Sequence, residues 1–306
     1  MPRLTARERI DIGQRAAASP MIRQDRVWAR YSGDKVDIGE QLMRVIRRLH
    51  RALPERQALQ ALSVGSSNEP QFRILEAAFQ GGLHLLDIEP QAVEALTERI
   101  ERQGTFHVHA TRGDFTRLLA SREAGAAFRR EALHERRMSL VTLHHSMYYA
   151  PRSAWMALLE SLLKEIADRR ASALHAVLMA SRSQDIATTT WLYNHFAGKF
   201  FGAENDQDLA AFARDLRKAS WMRSAQVACK PRKVYFHVDD FEQFMGVIWM
   251  ILLHPNVHRF SLDQQAEVTE FIYERLWSKR VPLTQVQDHL TVFLGKAARI
   301  SGSSGT

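Results

Sequence analysis

One stretch of the chain decides its fold: LSVGSSNEPQFRILEAAF, residues 62–79. Its first residues complete the short apolar run ALQALSV (58–64), which is typical of a buried strand. Gly65 ends this run, a polar turn follows, and Pro70 stands where a helix begins. A strand that passes through a glycine turn into a helix is the opening unit of doubly wound α/β folds, which bind ligands at that turn.

Beyond this point, apolar runs of strand length alternate with helix-like segments. The predicted strands after the first are LHLLDI (83–88), TFHVHA (105–110), MSLVTLH (138–144) and SALHAVLMA (172–180). Because near-continuous apolar runs suit strands buried on both faces, and helices lie between them, they predict a parallel sheet. Residues 224–238 are predicted to add two strands joined by Lys230-Pro231-Arg232. The sequence therefore predicts an α/β, Rossmann-like fold with a seven-strand sheet.

Helical segments flank the predicted sheet domain. We divide the chain into a helical N-terminal cap (1–56), the sheet domain (57–240), a C-terminal helical addition (241–300) and a disordered tail (301–306). In the first segment, Asp37 and Glu40 have the spacing of a helix capping box. In the third, the expected helices cover residues 241–253, 262–277 and 284–296.

Composition and length are those of a globular protein. The chain has 306 residues, of which 45% are hydrophobic and 25% are charged. Its longest apolar segment, Phe244 to Leu253, is much shorter than the roughly 18 residues that cross a bilayer. The N-terminus lacks the apolar region of a signal peptide, and Cys229 is the only cysteine. We therefore expect a cytoplasmic protein with no membrane partner.

The charge balance bears on the kind of partner. The formal net charge is +8, from 42 basic and 34 acidic side chains. A basic chain can favour an anionic partner such as nucleic acid. Here the positive residues are mostly arginines spread along the chain beside acids, and they form no block with interleaved aromatic residues. This pattern favours a small-molecule partner over nucleic acid, and it leaves a homodimer open.

Acidic residues follow the next two predicted strands. Asp87 ends the second strand, 22 residues after Gly65. Dinucleotide-binding folds place an acid about 20 residues after the glycine turn, where its carboxylate accepts hydrogen bonds from ribose hydroxyls. Asp114 and Phe115 follow the third strand, where an acid could accept from an adenine amino group and an aromatic ring could line the base. One adenosyl ligand would explain all these positions.

In this order, the pieces resemble the class I S-adenosylmethionine-dependent methyltransferases. Four motifs over residues 58–240 carry the resemblance: SVGSSNEP, LLDIEPQAV, RGDF and LVTLHHSMYY. It implies S-adenosylmethionine as the cofactor, with Asp87 on its ribose, Ile88 packed on its adenine and His144 beside its methyl group. The cofactor residues implied in this way are Gly65, Ser66, Glu69, Asp87, Ile88, Asp114, Phe115 and His144.

The first motif departs from the family pattern. Its later glycines are replaced by Ser67 and Glu69. The run GSSNEP is similar to the GxSxGEEP turn of chemotaxis-type protein methyltransferases, in which case Glu69 would help to fix the turn. A nicotinamide dehydrogenase is disfavoured, because its GxGxxG fingerprint requires glycines at the positions of Ser67 and Pro70.

The segment after the fourth strand, HHSMYY (144–149), is the candidate reaction centre. A sulfonium already activates its methyl group, so the enzyme mainly aligns the nucleophile and excludes water. A general base is needed only where the nucleophile must lose a proton, and His145 is the candidate for that role. Tyr148 and Tyr149 are expected to line the site, with core packing as the alternative.

The other histidines give no pattern of a metal site. His107, His109, His134, His175 and His195 look scattered, and the chain has no HExxH-type spacing. We therefore predict no metal ion.

A further set of side chains suggests the nature of the methyl acceptor. An arginine binds a carboxylate bidentately, an aspartate can bind an ammonium group, and family members often place N-terminal elements over the substrate. The candidate substrate residues are Trp28, Arg30, Tyr31, Tyr148, Tyr149, Arg182 and Asp240. They predict a small, amino-acid-like acceptor methylated on nitrogen, sulfur or oxygen, and ordinary packing is the alternative for each.

Two other functions stay open at this stage. The net charge of +8 and the GSSNEP turn would also suit a protein or RNA methyltransferase. The missing glycines of the first motif would suit a non-catalytic module with a degenerate cofactor site.

Overall fold

The computed structural model describes residues 4–65, 71–253 and 259–300. Its strands are β1 (Gln60–Val64), β2 (Gly82–Asp87), β3 (Val108–Arg112), β4 (Leu140–His144), β5 (Ala171–Met179), β6 (Gln226–Tyr235) and β7 (Thr284–Gly295). They form one seven-stranded sheet in the order β3-β2-β1-β4-β5-β7-β6.

Helices lie between most of these strands and at the N-terminal end. The α-helices are α1 (Ala6–Ala17), α2 (Met21–Tyr31), α3 (Asp34–Ala52), α4 (Gln71–Ala78), α5 (Pro90–Gln103), α6 (Phe115–Leu118), α7 (Arg122–Glu131), α8 (Trp155–Ser161), α9 (Thr189–Phe201), α10 (Leu209–Lys218), α11 (Phe241–Leu253), α12 (Leu262–Ile272) and α13 (Lys296–Arg299). Single 3-10 or π turns cover Met147–Tyr149, Arg152–Ala154, Leu162–Ile166, Ser220–Met222 and Tyr273–Trp277. Within the described ranges, no helix is both long enough and apolar enough to cross a membrane.

The strand order makes this a doubly wound sheet. β1 pairs in parallel with β2 on one side and with β4 on the other, and the pairs β2–β3 and β4–β5 are parallel as well. The strand order therefore reverses between β1 and β4. In such sheets, ligands bind beyond the carboxyl ends of the strands at the point of reversal. The predicted α/β fold with seven strands is confirmed.

The seventh strand comes from a different part of the chain than predicted. Residues 284–296 were expected to form a helix, which is wrong, because Thr284–Gly295 is the strand β7. Its alternating side chains are buried on two faces: Leu290 and Val292 lie in one apolar cluster, and Phe293 lies in another. A strand buried on both faces carries no polar alternation, so periodicity does not separate it from a buried helix.

The two strands predicted within residues 224–238 are a single strand, β6. Pro231 lies inside it, where a turn was expected. A proline cannot donate to a strand ladder and is tolerated on an edge strand. Since β6 is the last strand of the sheet, its edge position removes the reason for a turn at this proline.

The chain forms two compact units. The larger unit comprises Val36–Leu178, Leu209–Lys230 and Asp288–Thr306, and the smaller unit comprises Met1–Lys35, Met179–Asp208 and Pro231–Gln287. The N-terminal cap, the sheet domain and the C-terminal addition defined from the sequence each contribute residues to both units. The expected N-terminal helices are present, whereas the C-terminal addition contains β7 as well as helices. The expected disordered tail, residues 301–306, lies outside the described residues.

The larger unit has an apolar cluster on each face of the sheet. Side chains alternate along β5, so that Leu174 and Ala176 belong to one cluster while Ala171 and Ala173 belong to the other. Helix α3 contributes to the second cluster. This helix begins at Asp34, three residues before the predicted capping box, and Asp37 lies inside it with a buried side chain. Asp37 therefore does not cap the helix.

The smaller unit is a helical core. Helix α11 contacts α1, α2 and α9, and α1 also contacts α12. Fully buried aromatic residues, among them Phe196 and Trp249, fill the interior. Capping boxes start two of the helices, formed by Thr5 with Glu8 and by Ser261 with Gln264.

Candidate functional site

The carboxyl ends of β1, β2, β3 and β4 lie at one edge of the sheet in the larger unit, because these strands are parallel. The N–H of Gly65 donates to the carbonyl oxygen of Leu86 at 2.8 Å, and the N–H of Gly113 donates to that of Asp87 at 2.8 Å. The structure thus brings together three of the turns that the sequence singled out. The turn after β1 lies beside the point of reversal in the strand order, and the turns after β2 and β3 follow along the same edge.

The turn after β1 requires a glycine for two reasons. Gly65 has φ +71°, in the left-handed region that side chains rarely adopt. A Cβ at this position would also lie 2.7 Å from the Cβ of Ser146, in the segment after β4. The two segments therefore approach closely only because residue 65 has no side chain. Gly65 is itself exposed, and the other predicted residues of this turn, Ser66 and Glu69, lie outside the described residues.

Asp87 stands at the tip of β2, as predicted. Its side chain is half-buried, and one carboxylate oxygen, Oδ1, accepts a hydrogen bond from the backbone N–H of Glu89 at 3.0 Å. This contact fixes the direction of the carboxylate. Ile88 is 61% exposed, so its side chain is accessible to a ligand ring.

Asp114 and Phe115, which follow β3, are less accessible to a ligand than Ile88 is. Asp114 caps the short helix α6: its Oδ1 accepts from the backbone N–H of Thr116 at 2.9 Å and from the hydroxyl of Thr116 at 2.6 Å. The ring of Phe115 is buried in the apolar cluster that also contains Leu86. An adenine ring could reach the Phe115 ring only by displacing this packing. Local capping and core packing account for both residues.

The turn after β4 is strained. His145 has φ +54°, which a residue with a β-carbon adopts at a cost. Its N–H donates to the carbonyl oxygen of Val177 at 2.9 Å, and its ring stacks on Tyr148 with centroids 6.0 Å apart. Tyr148 is partly buried against the core, whereas Tyr149 is 58% exposed. His144 is buried and, unlike His145, points into the protein.

Most of the predicted substrate residues lie in the smaller unit. The indole Nε1 of Trp28 donates to Asp34 Oδ2 at 3.1 Å, and its ring meets the ring of Phe236 edge-on at 4.7 Å. The guanidinium of Arg30 lies 5.2 Å from the ring centroid of Tyr31. These contacts show how the aromatic residues pack within the unit.

The two other predicted substrate residues of this unit differ in exposure and contacts. Arg182 is exposed. Asp240 accepts from the backbone N–H of Gln243 at 2.9 Å and so caps helix α11.

The smaller unit also contains a cavity that the sequence did not indicate. It has a volume of about 420 Å³ and is lined by residues that include Phe236, His237, Asp239, Trp277 and Arg280. Small-molecule sites commonly fall between about 300 and 1,000 Å³ and combine apolar walls with a few polar groups. Arg280 has φ +52° and, like His145, lies in the left-handed region without being a glycine.

Sequence reasoning missed a group of buried polar side chains in the larger unit. His144 Nε2 lies 3.0 Å from His175 Nδ1, His175 Nε2 lies 3.2 Å from His289 Nδ1, and His289 Nε2 lies 2.9 Å from Asp37 Oδ2. His175 is therefore not scattered. The signal in the sequence was a histidine inside an otherwise apolar strand run. In the part of the chain that the structure describes, no group of three or more His, Cys, Asp or Glu is arranged to hold a metal ion.

Comparisons with known proteins bear on the fold. No protein-family model and no curated protein matches the chain. Among solved structures, it is similar to the YcgJ protein of Bacillus subtilis, with 10% identity and a TM-score of 0.49 over 81% of this chain and 95% of that one.

Two methyltransferases whose assignment is provisional are similar at the same level. The one from Bacillus halodurans has 11% identity and a TM-score of 0.48 over 82% of this chain and 98% of that one. The one from Galdieria sulphuraria, named for sarcosine and dimethylglycine, has 11% identity and a TM-score of 0.47 over 86% of each chain. Likenesses at this level carry no conclusion about activity, and the fold assignment rests on the strand order and the parallel pairing.

Proposed function

We propose that this chain is a methyltransferase that binds S-adenosylmethionine at the carboxyl edge of β1, β2 and β4 and methylates a small soluble molecule. The observation that carries the proposal is the meeting of Gly65, Asp87 and His145 at the point of reversal in the strand order. Doubly wound folds bind their ligands at this point. The sequence pattern alone assigns cofactor or acceptor chemistry to the same three residues.

The residues at this edge fit an adenosyl ligand. Gly65 is exposed, so a ligand can approach its backbone from the side that Ser146 does not fill. Asp87 is half-buried at a strand tip, and its carboxylate can accept from two ribose hydroxyls. Ile88 provides an exposed apolar surface for the base. Asp114 and Phe115 remain proposed contacts of the adenine edge, through groups that their capping and packing leave accessible.

Methyl transfer from S-adenosylmethionine requires few catalytic groups from the chain. S-adenosylmethionine supplies a methyl group that is already activated by its positive sulfur. The chain has to orient the acceptor, keep water away and remove a proton where the acceptor carries one. His145 and Tyr148, with stacked rings at the end of β4, would orient the acceptor. Tyr149 would border the same place.

A small acceptor is the form of the proposal that the smaller unit supports. Its cavity of about 420 Å³ matches the size of small-molecule sites. Arg280, Asp239 and Trp277 give this cavity both charges and an apolar wall, so the smaller unit by itself could bind a small zwitterion. Trp28, Arg30, Tyr31, Arg182 and Asp240 remain proposed substrate residues on the grounds of their chemistry. The proposal includes a cytoplasmic location, in keeping with the single cysteine.

Calorimetric titration with S-adenosylmethionine tests the cofactor site. Asp87→Asn keeps an oxygen for the N–H of Glu89 but removes the charge that accepts from the ribose. Hydrogen bonds to charged groups contribute roughly 1.5–3 kcal/mol, so we expect Kd to rise about 10- to 100-fold. Asp168→Asn is the matched control, because Asp168 Oδ1 accepts from the N–H of Arg170 at 2.9 Å in the same kind of turn, just before β5 at the opposite edge.

The outcomes are distinct. No binding by the wild type, or equal binding by wild type and Asp87→Asn, overturns the proposed cofactor site. Incubation with methyl-labelled S-adenosylmethionine and a pool of free amino acids, amines and phenols then tests the acceptor. Label in the small-molecule fraction supports the proposal. Label found only in protein or RNA, or in neither fraction despite binding, replaces it with a macromolecular acceptor or a non-catalytic module.

A further inference from the structure

The cavity of the smaller unit is built from one stretch of the chain. It has a volume of about 420 Å³, and all the residues that line it lie between Phe236 and Leu283. This stretch falls inside Pro231–Gln287, which belongs to the smaller unit. The cavity is therefore a feature of the smaller unit alone, and a ligand could occupy it whether or not the proposed cofactor is bound.

Three aromatic rings give the cavity an apolar wall. Phe236 and Phe244 are less than 5% exposed, and Trp277 is half-buried. The ring centroids of Trp277 and Phe244 are 5.4 Å apart, and the ring of Trp28 meets that of Phe236 edge-on at 4.7 Å. Each ring is thus held by a neighbouring ring. A wall of fixed aromatic rings suits a flat apolar group, which can pack against them edge-on or offset.

A tight turn places Arg280 beside this wall. The N–H of Arg280 donates to the carbonyl oxygen of Trp277 at 3.0 Å, and the N–H of Val281 donates to that of Leu276 at 3.0 Å. Arg280 has φ +52°, a conformation that glycine adopts readily and that other residues adopt at a cost. Glycine would therefore suit the backbone of this turn better, and the arginine points to a use for its side chain.

The charged side chains at the cavity have opposite signs. Arg280 and Asp239 both line it, and both are exposed. Among the residues that the structure describes, neither side chain is in an ion pair. A guanidinium binds a carboxylate through two parallel hydrogen bonds, and a carboxylate accepts hydrogen bonds from an ammonium group. Both charges are therefore available to a ligand that carries the complementary pair.

We propose that the cavity binds an aromatic amino acid, with its carboxylate on Arg280, its ammonium group on Asp239 and its ring against Trp277, Phe236 and Phe244. This inference names the class of the small molecule in the proposed function. It rests on that function only for the methylation of the ligand, since binding in the cavity requires no cofactor.

Calorimetric titration of the full chain without S-adenosylmethionine tests the three contacts from the side of the ligand. L-phenylalanine should bind more tightly than phenylpropionate, which lacks the ammonium group, and than phenethylamine, which lacks the carboxylate. L-alanine, which lacks the ring, should also bind more weakly. We expect each loss to raise Kd about tenfold, because a hydrogen bond between charged groups and the burial of an aromatic ring each contribute a factor of about this size.

Variants of the charged residues test the same contacts from the side of the protein. Arg280→Gln should raise Kd about tenfold for L-phenylalanine and phenylpropionate and leave that for phenethylamine within about twofold. Asp239→Asn should weaken L-phenylalanine and phenethylamine and spare phenylpropionate. Arg275→Gln is the matched control, because Arg275 is an exposed arginine of the same stretch that does not line the cavity, and all three affinities should be unchanged.

Arg280→Gly separates binding from folding. Because glycine suits φ +52°, the thermal midpoint should not fall, whereas phenylpropionate should bind as weakly as to Arg280→Gln. A lower midpoint, or undiminished binding of phenylpropionate, would contradict the role of the arginine side chain.

The outcomes distinguish this site from the cofactor site. Absence of L-phenylalanine binding by the wild type, or equal affinity for L-phenylalanine and its three analogues, overturns the proposed ligand whether or not S-adenosylmethionine binds. Equal losses for all ligands in Arg280→Gln overturn the assignment of the carboxylate to Arg280. Binding of L-phenylalanine by a wild type that does not bind S-adenosylmethionine supports the cavity site and overturns the proposed function.

Discussion

The larger unit contains two histidine groups that differ in how their rings meet. In the first group, which we call the histidine row, the ring nitrogens of His144, His175 and His289 face each other at 3.0 and 3.2 Å, and Asp37 Oδ2 lies 2.9 Å from Nε2 of His289. In the second group, which we call the histidine pair, His84 on β2 and His109 on β3 stack with centroids 4.9 Å apart. Within the described part of the chain, neither ring nitrogen of His84 has a hydrogen-bond partner.

The histidine row is a hydrogen-bonded network, whereas His84 is a buried polar side chain whose ring nitrogens have no hydrogen-bond partner within the described part of the chain. Burial, followed by the charges of His109, Arg136 and His134, lowers the pKa of His84 from 6.5 to about 4. The pair is therefore neutral because a cation is unfavourable there, and nothing orders its protons. In the histidine row, ring nitrogens of neighbouring histidines lie within hydrogen-bonding distance of each other, so buried polar atoms find partners there. Burial alone thus lowers the pKa of a histidine, whereas contact between buried rings also satisfies their polar atoms.

The same substitution should act oppositely in the two groups. His175→Leu leaves His144 Nε2 and His289 Nδ1 buried without their partner. An unsatisfied buried polar atom costs roughly 1–3 kcal/mol, so the free energy of unfolding should fall by about 3 kcal/mol in urea denaturation.

His84→Leu is the control for this prediction. It replaces a buried imidazole without hydrogen-bond partners by an apolar group of similar size, within the described part of the chain. We expect stability to be unchanged or to rise by up to about 1 kcal/mol. Equal losses of stability in the two variants would mean that the hydrogen bonds of the histidine row add nothing to the free energy of unfolding beyond packing.

Acid should destabilise the protein through the histidine pair. Between pH 6.5 and about 4 the unfolded chain binds a proton at His84 while the folded protein does not, because the folded pKa is about 4. The contribution of His84 is therefore fully present above pH 6.5 and is lost as the pH falls towards 4, by about 3 kcal/mol. His84→Leu should flatten urea-derived stability over this range. His175 acts in the same direction, so a slope remains, and an identical pH dependence in the variant would contradict the assignment.

The smallest expected effect is that of the Arg136 charge on the pKa values of the histidine pair. Arg136 lowers the pKa of both His84 and His109, after burial in each case. Arg136→Gln should raise the pKa of His109 in an NMR titration. Because Arg136 is exposed, the difference from wild type should shrink at high salt, where exposed charges are screened. A salt-independent difference would point to a structural change instead.

Much of the sheet could be predicted because its strands are short apolar runs set off by glycines and prolines. This local pattern located β1, β2, β4 and β5 to within about two residues, and β3 to within about three. It failed for β7, whose two buried faces resemble a buried helix, and for Pro231, whose tolerance depends on an edge position in the finished sheet.

At the candidate site, the sequence placed Gly65, Asp87 and His145 at strand ends, and the parallel pairing makes these ends meet. The capping of α6 by Asp114 is a local contact with Thr116, whereas the burial of Phe115 in the core depends on contacts that form only in the folded protein. The sequence did not indicate the histidine row either, because its members meet only in the folded protein. His175 looked isolated because its partners, His144 and His289, lie on other strands, 31 and 114 residues away along the chain.

The sequence by itself determined the α/β pattern, the glycine turn after the first strand and the acid at the tip of the second, because each depends on residues within one strand and its turn. Only the tertiary structure decided which strand is seventh, how the chain divides into two units, and that three histidines from separate strands meet in the interior. These features arise from contacts between distant segments, and such contacts leave no periodic trace along the chain.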